Sequence, residues 1–144
     1  MTTSKSFRTA LRGGASDEVS PGEAPKQEAN GDYLVQYVLI RKDLPWPAGS
    51  VVAQGCHAVT KALWEYKEHQ NVIDYCGQIN SMHKVVLGVK DRKQLEKFAG
   101  RLEEAGLLHC IWVEQPEDTP TALATLPYPK STIGPLLKKL PLLQ

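Results

Sequence analysis

Long apolar runs are missing from this chain of 144 residues. No stretch approaches the ~18 residues of a membrane-spanning helix. No G-x-G-x-x-G follows the first candidate strand and no G-x-x-x-x-G-K-[ST] occurs, which argues against dinucleotide and P-loop nucleotide binding. The G-x-S-x-G elbow of a serine hydrolase is missing too. Cysteine is scarce: Cys56, Cys76 and Cys110 are odd in number and stand in no C-x-x-C spacing. Cys56 and Cys110 lie in apolar patterns. The expected state is buried free thiols in a reducing, cytoplasmic setting, with no zinc or other metal. An excess of one charge is also lacking. Residues 33–144 hold 13 Lys and Arg against 11 Asp and Glu. That is not the footprint of a dedicated nucleic-acid binder, although a local basic patch stays open.

What is present divides in two. Residues 1–32 are rich in Ser, Thr, Gly, Glu and Pro, with Phe7 and Leu11 as their main apolar content. Such a segment cannot bury enough surface to offset its ordering entropy, so a flexible tail is expected. Its first sixteen residues hold Lys5, Arg8 and Arg12 and no acid, a composition shared with organelle transit peptides. A disordered extension is the preferred reading. Residues 33–144 have the length and patterning of one domain.

Tyr33 to Arg41 reads as a central strand, apolar on both faces. Pro45 and Pro47 bracket Trp46 in a stiff loop. A helix follows, with Ser50 as its expected N-cap, running to about His69. Val52, Cys56, Val59, Leu63 and Tyr66 form its apolar stripe. Asn71 to Cys76 adds a short helical turn. Lys84 to Val89 is a second strand. Asp91 with Gln94 has the form of a capping box. It opens a helix with Leu95, Phe98, Leu102 and Ala105 inward, ended by Gly106. Leu107 to Val113 and Thr121 to Leu126 are strands three and four. Pro127 to Pro129 turns the chain, and Ser131 to Leu140 is a last helix. This order predicts an α/β sandwich around a small mixed sheet, with strands three and four as a hairpin. Its sites would gather at the carboxyl ends of strands and the amino ends of helices.

A second stripe on the first helix is unusual. Ser50, Gln54, His57 and Lys61 share one face, where a solvated helix would carry Lys and Glu. Ser50 and His57 are not a nucleophile and base, because seven residues separate them by about 10 Å of rise. Two readings stand for each of the others. His57 is either a half-buried histidine bonded to a loop or part of a site. Gln54 either bonds a loop backbone or faces a ligand. Glu114 ends the third strand, followed by Glu117 and Asp118. Clustered carboxylates can raise a pKa and make a general base, and they are also what a solvated acidic turn looks like.

Tyr37 to Leu44, Gly49, Val52-Ala53-Gln54 and His57-Ala58 together resemble the signature of the type II peptidyl-tRNA hydrolases, roughly "VVRxDLxMxKGKxAAQxxHA". Lys84 to Leu87, the D-x-x-x-L helix after it, and Thr121 to Leu142 extend the resemblance over nearly all of residues 34–143. "WPAG", "EQPE" and "PYPK" look more particularly like the divergent branch called peptidyl-tRNA hydrolase domain-containing proteins. The resemblance implies a three-layer α/β/α sandwich over four mixed strands. It also implies cleavage of the ester between a peptide and the tRNA 3′ ribose, without metal or cofactor. Peptidyl-tRNA or tRNA is then the partner, no membrane is involved, and a homodimer stays open. The family's catalytic Lys falls on Ser50. A neutral hydroxyl supplies no positive charge for an oxyanion or phosphate. Lys61 lies about 16 Å further along the helix. Lys42 is nearer the edge and is the candidate to reach in. The family's catalytic Asp falls on Glu114. Thr121 matches the Thr that opens the last strand, and Thr119 is the nearest counterpart of a second Thr in a loop that is shorter here and lacks glycine. The implied catalytic set is Glu114, Thr121, Ser50 and Thr119, with Gln54, His57 and Lys42 binding substrate. The alternative is a catalytically weak or inactive member that binds tRNA or a protein.

Overall fold

The computed structural model describes residues 31–144; the expected tail lies outside them except for Gly31 and Asp32. Asp32 is tied to the domain. Its carboxylate accepts from the Ser131 amide at 3.1 Å and the Ser131 hydroxyl at 2.5 Å.

The sheet is built on β1 (Leu34–Arg41), whose six inner residues are all buried. Apolar side chains on both faces suit a strand covered on both sides. β2 (His83–Val89) pairs with it in parallel, and β4 (Thr119–Thr125) pairs antiparallel on its other flank. β3 (His109–Glu114) is antiparallel to β4, giving the order β2-β1-β4-β3. Tyr128–Pro129 forms a two-residue β5 against the start of β1, where the sequence suggests only a turn. Edge strands that short satisfy backbone groups without needing a side-chain pattern.

Helices cover both faces, so the fold is the expected three-layer sandwich. α1 (Ala48–Glu65) and α2 (Gln70–Gly77) pack over Val38, Ile40, Ala122 and Ala124. α3 (Arg92–Glu104) and α4 (Lys130–Leu137) pack over Val35, Tyr37, Leu39 and Leu123. α3 follows its pattern: Asp91 accepts from the Gln94 amide at 2.8 Å, and Leu95, Phe98, Ala99 and Leu102 are buried. Ala105 is the exposed C-cap rather than part of the inner face. Gly106, at φ 71°, closes the helix, with its N–H on the Glu103 carbonyl and the Leu107 N–H on that of Leu102. Those capping bonds hold Leu107, which is why β3 starts at His109.

α1 departs from the sequence reading in three ways. It begins directly after Pro47, which is the N-cap and has no side-chain capping bond. Proline fixes that entry, so Ser50 lies in the first turn and caps nothing. The helix stops at Glu65, and His69 caps α2 by accepting from the Asn71 amide through Nδ1 at 3.2 Å. Most consequentially, only the later part of the expected apolar stripe, Val59, Leu63 and Tyr66, packs on the core. Val52 and Cys56 are exposed, while Gln54, Gly55, Ala58 and Ala62 are buried. The reason is closeness. A Cβ on Gly55 would stand 3.1 Å from Ile40 Cδ1, so small residues let the helix axis approach the sheet. Cys56 is therefore not the buried thiol its pattern suggests; Cys110 is.

α4 ends at Leu137, with Pro135 inside it. The chain then runs along the free edge of β2: the Gly88 N–H bonds the Pro141 carbonyl at 2.9 Å, and the Leu143 N–H bonds that of Val86 at 3.0 Å. This covers an edge that would otherwise present unpaired backbone groups. Among the described residues no helix is long and apolar enough to cross a membrane.

Candidate active site

β1 and β3 run in the same direction, so Arg41 and Glu114 end at one edge of the sheet, beside the start of β4 and the first turns of α1. The polar stripe of α1 meets the β3–β4 hairpin there. Gln54, only 5% exposed, accepts a hydrogen bond from the Thr121 hydroxyl at 2.6 Å. Thr121 is fully buried. A break in register explains how it reaches α1. Trp112 faces Ala122 and Val113 faces Pro120, so Thr121 is the extra residue of a β-bulge. Bulges re-aim a side chain, and Pro120, which cannot donate to the ladder, is at home beside one.

Glu114 is the next member. Its Oε2 accepts from the Trp112 indole Nε1 at 3.0 Å. Trp112 and Glu114 are two residues apart on one strand, so they share a face. The Trp112 bond, then one from the Gln54 amide, and the neighbouring His57 hold the Glu114 carboxyl below the usual glutamate range. Gln54 thus accepts from Thr121 and lies near enough to Glu114 to favour its charged form. His57 is exposed and stacks on Trp112, with ring centroids 4.5 Å apart and planes 21° from parallel. Lys61, last of the stripe, donates to the Ile111 carbonyl at 3.2 Å.

Several expectations are corrected here. Glu114 is not a carboxyl raised by Glu117 and Asp118; hydrogen-bond donors surround it and favour its charged form. Asp118 instead takes a bond from the Gln115 amide at 3.1 Å in the turn. Gln54 bonds the Thr121 side chain rather than a loop backbone. His57 is neither half-buried nor bonded to a loop. Lys42 does not reach the site. Its stem lies across Gly88 on β2, and β2 is the opposite edge strand from β3. Ser50 stands one turn before Gln54, and no side-chain hydrogen bond joins it to another described residue.

Two residues of the arrangement escape the sequence reading. Arg41 donates through Nη1 to the Thr119 hydroxyl at 3.0 Å and to the Pro120 carbonyl at 2.9 Å. It is also paired with Asp43 by two bonds of 2.9 and 2.8 Å. It thus fixes the start of β4, and Asp43 balances its charge. No local signal marks that partnership, which spans 78 residues. Trp112 had a signal, the two-residue spacing to a strand-ending carboxylate. Among the described residues, no three His, Cys, Asp or Glu side chains gather as a metal centre would require. An 830 Å³ groove lies elsewhere, on the α4 side of β1 and β2, lined by Tyr37, Val85, Leu87, Gly134 and Leu140.

The family model described as "Peptidyl-tRNA hydrolase PTH2" matches residues 34–143. The Homo sapiens protein named "Putative peptidyl-tRNA hydrolase PTRHD1" is 42% identical, over 77% of this chain and 83% of its own length. The Mus musculus protein of the same name is 41% identical, over 74% of this chain and 79% of its own.

Proposed function

From the premise that this chain belongs to the PTH2 family of peptidyl-tRNA hydrolases, we propose that it hydrolyses the ester joining a peptide, or an N-blocked amino acid, to the 3′ ribose of tRNA. The observation that carries the reading is the buried Thr121–Gln54 bond of 2.6 Å set against the ionised Glu114. A buried polar pair at a sheet edge, built by a bulge, does nothing for packing that two apolar residues would not do. It makes sense as a support for the carboxylate beside it.

In this mechanism the Glu114 carboxylate holds and polarises the attacking water. Because its pKa is lowered, it contributes chiefly as a fixed negative charge and hydrogen-bond acceptor, and only weakly as a proton acceptor. The Thr119 hydroxyl accepts from Arg41, which leaves its own proton free to bond the substrate. Thr121, fully buried, donates to Gln54 and acts by holding that side chain beside Glu114 rather than by touching the substrate. Ser50 and the first amides of α1, which lack a side-chain cap, would hold the ester carbonyl or a phosphate. His57, exposed on Trp112, lines the entrance.

The second reading, a family member that binds tRNA or a protein and hydrolyses weakly, also has an observation on its side. No Lys or Arg is among the principal groups acting on Glu114, Arg41 is neutralised by Asp43, and Ser50 occupies the position of the family's lysine. Labelled peptidyl-tRNA incubated with the purified protein separates the two. Release of free tRNA that disappears in Glu114→Gln supports the hydrolase. Binding of intact substrate with no release in either protein supports the binding module.

A further inference from the structure

One aromatic side chain, Trp112, stands against the site and takes no part in the reaction itself. Trp112 makes two contacts at once. One ring face is covered by His57, and its N–H is spent on Glu114. We propose that Trp112 is the positioning residue of the site: the stack with His57 locks the indole, and the locked N–H fixes the Glu114 carboxylate over Gln54 and Thr121. This rests on the hydrolase reading.

Glu114 ends an edge strand at a partly exposed place, where a glutamate ordinarily samples many rotamers. One fixed donor at 3.0 Å removes most of them. An indole is a donor only, so it rewards the charged, accepting form of the carboxyl and offers nothing to a proton on the same oxygen. The bond is as good as the placement of the ring. A tryptophan on a strand can tilt, and His57, reaching from α1, closes one side of it. The contact therefore ties the orientation of Glu114 to α1, the element that also carries Gln54. The titratable and charged side chains on the neighbouring elements are His57 from α1, Arg41, which bonds the Thr119 paired with Glu114 and is itself held by Asp43, and Glu117 and Asp118 in the turn between Glu114 and Thr119.

Two measurements test this on the full chain. In the first, the indole N–H resonances are followed by NMR as pH falls. The Trp112 signal should move with the titration of Glu114 and lose that response in Glu114→Gln, while Trp46 and Trp64 stay indifferent. In the second, Trp112→Phe keeps a ring under His57 and removes the donor. Its kcat should fall on the order of tenfold, as for a lost hydrogen bond to a charged group, with KM within about twofold. The acid limb of its rate profile should move to higher pH, because a bond favouring the ionised carboxyl is gone. An indole signal blind to Glu114, or a Trp112→Phe enzyme with unchanged kcat and acid limb, overturns the inference. A wild type that hydrolyses nothing sinks the hydrolase reading instead, and the indole titration still decides whether Trp112 holds Glu114.

Discussion

Replacing Thr121 by Val exchanges one hydroxyl for one methyl at a fully buried position. Shape is kept, so packing changes little. The loss is electrostatic: Gln54 Oε1 is left without the donor it has at 2.6 Å. An unsatisfied buried acceptor costs about 1–3 kcal/mol, and the added methyl returns at most about 0.8 kcal/mol. A net destabilisation of roughly 0.2–2 kcal/mol follows, up to several degrees in melting temperature for a domain of this size. Urea unfolding should show a lower midpoint with an unchanged slope. Gln54→Met in the same background removes the stranded acceptor. The double variant should therefore be less destabilised than the sum of the singles, with a coupling of about 1 kcal/mol. Thr125→Val is the control. Thr125 is also fully buried, and its hydroxyl accepts from the Tyr37 amide at 3.1 Å, at the end of β4 away from the site. It should lose comparable stability and keep the activity of the wild type. Thr121→Val should instead lose at least tenfold in hydrolysis. Additive singles, or equal activity in the two valine variants, would show that the Thr121–Gln54 bond neither stabilises nor organises the site.

The remaining predictions concern charge. Glu114→Gln keeps size and an acceptor for Trp112 but removes the fixed charge, and should lower hydrolysis on the order of 10²-fold with its melting curve hardly moved; retained activity would make Glu114 an ordinary turn residue. Ser50→Lys puts a cation at the start of α1 and should raise hydrolysis about tenfold or more in a peptidyl-tRNA release assay, if the missing charge limits the wild type. Stability should fall on the alkaline side. Burial pushes the Cys110 thiol up to about 12, with the Glu65 carboxylate adding to it, and burial pushes Tyr75 up to about 12 as well. Both groups ionise first in the unfolded chain, so the loss begins near pH 9, the ordinary thiol value, and continues towards 12. Thermal melts between pH 8 and 11 should flatten in Cys110→Ala; an unchanged slope would mean that this thiol is not protected.

The sequence by itself determined the elements and much of the site. Period-two and period-3.6 patterns, the Asp91–Gln94 cap and the Gly106 stop depend on neighbours within a few residues, so they can be read from the chain alone. So can the stripe of Ser50, Gln54, His57 and Lys61, because helical spacing is geometry. Only the tertiary structure decided which stripe of α1 is buried. Hydrophobicity pointed to Val52 and Cys56. The sheet chose Gly55, Ala58 and Ala62, because dispersion and burial gain more from close approach of the backbone than from larger side chains held further away. That choice turned Gln54 inward to meet Thr121, a partner 67 residues on, through a bulge that no local pattern announces. It also decided that the Glu114 pKa moves down rather than up. Sequence can place a carboxylate among acids. Whether side chains of α1 such as Gln54 and His57 come close to it is a matter of non-local distance, and a hydrogen bond at 3.0 Å from Trp112 outweighs acids pointing into solvent.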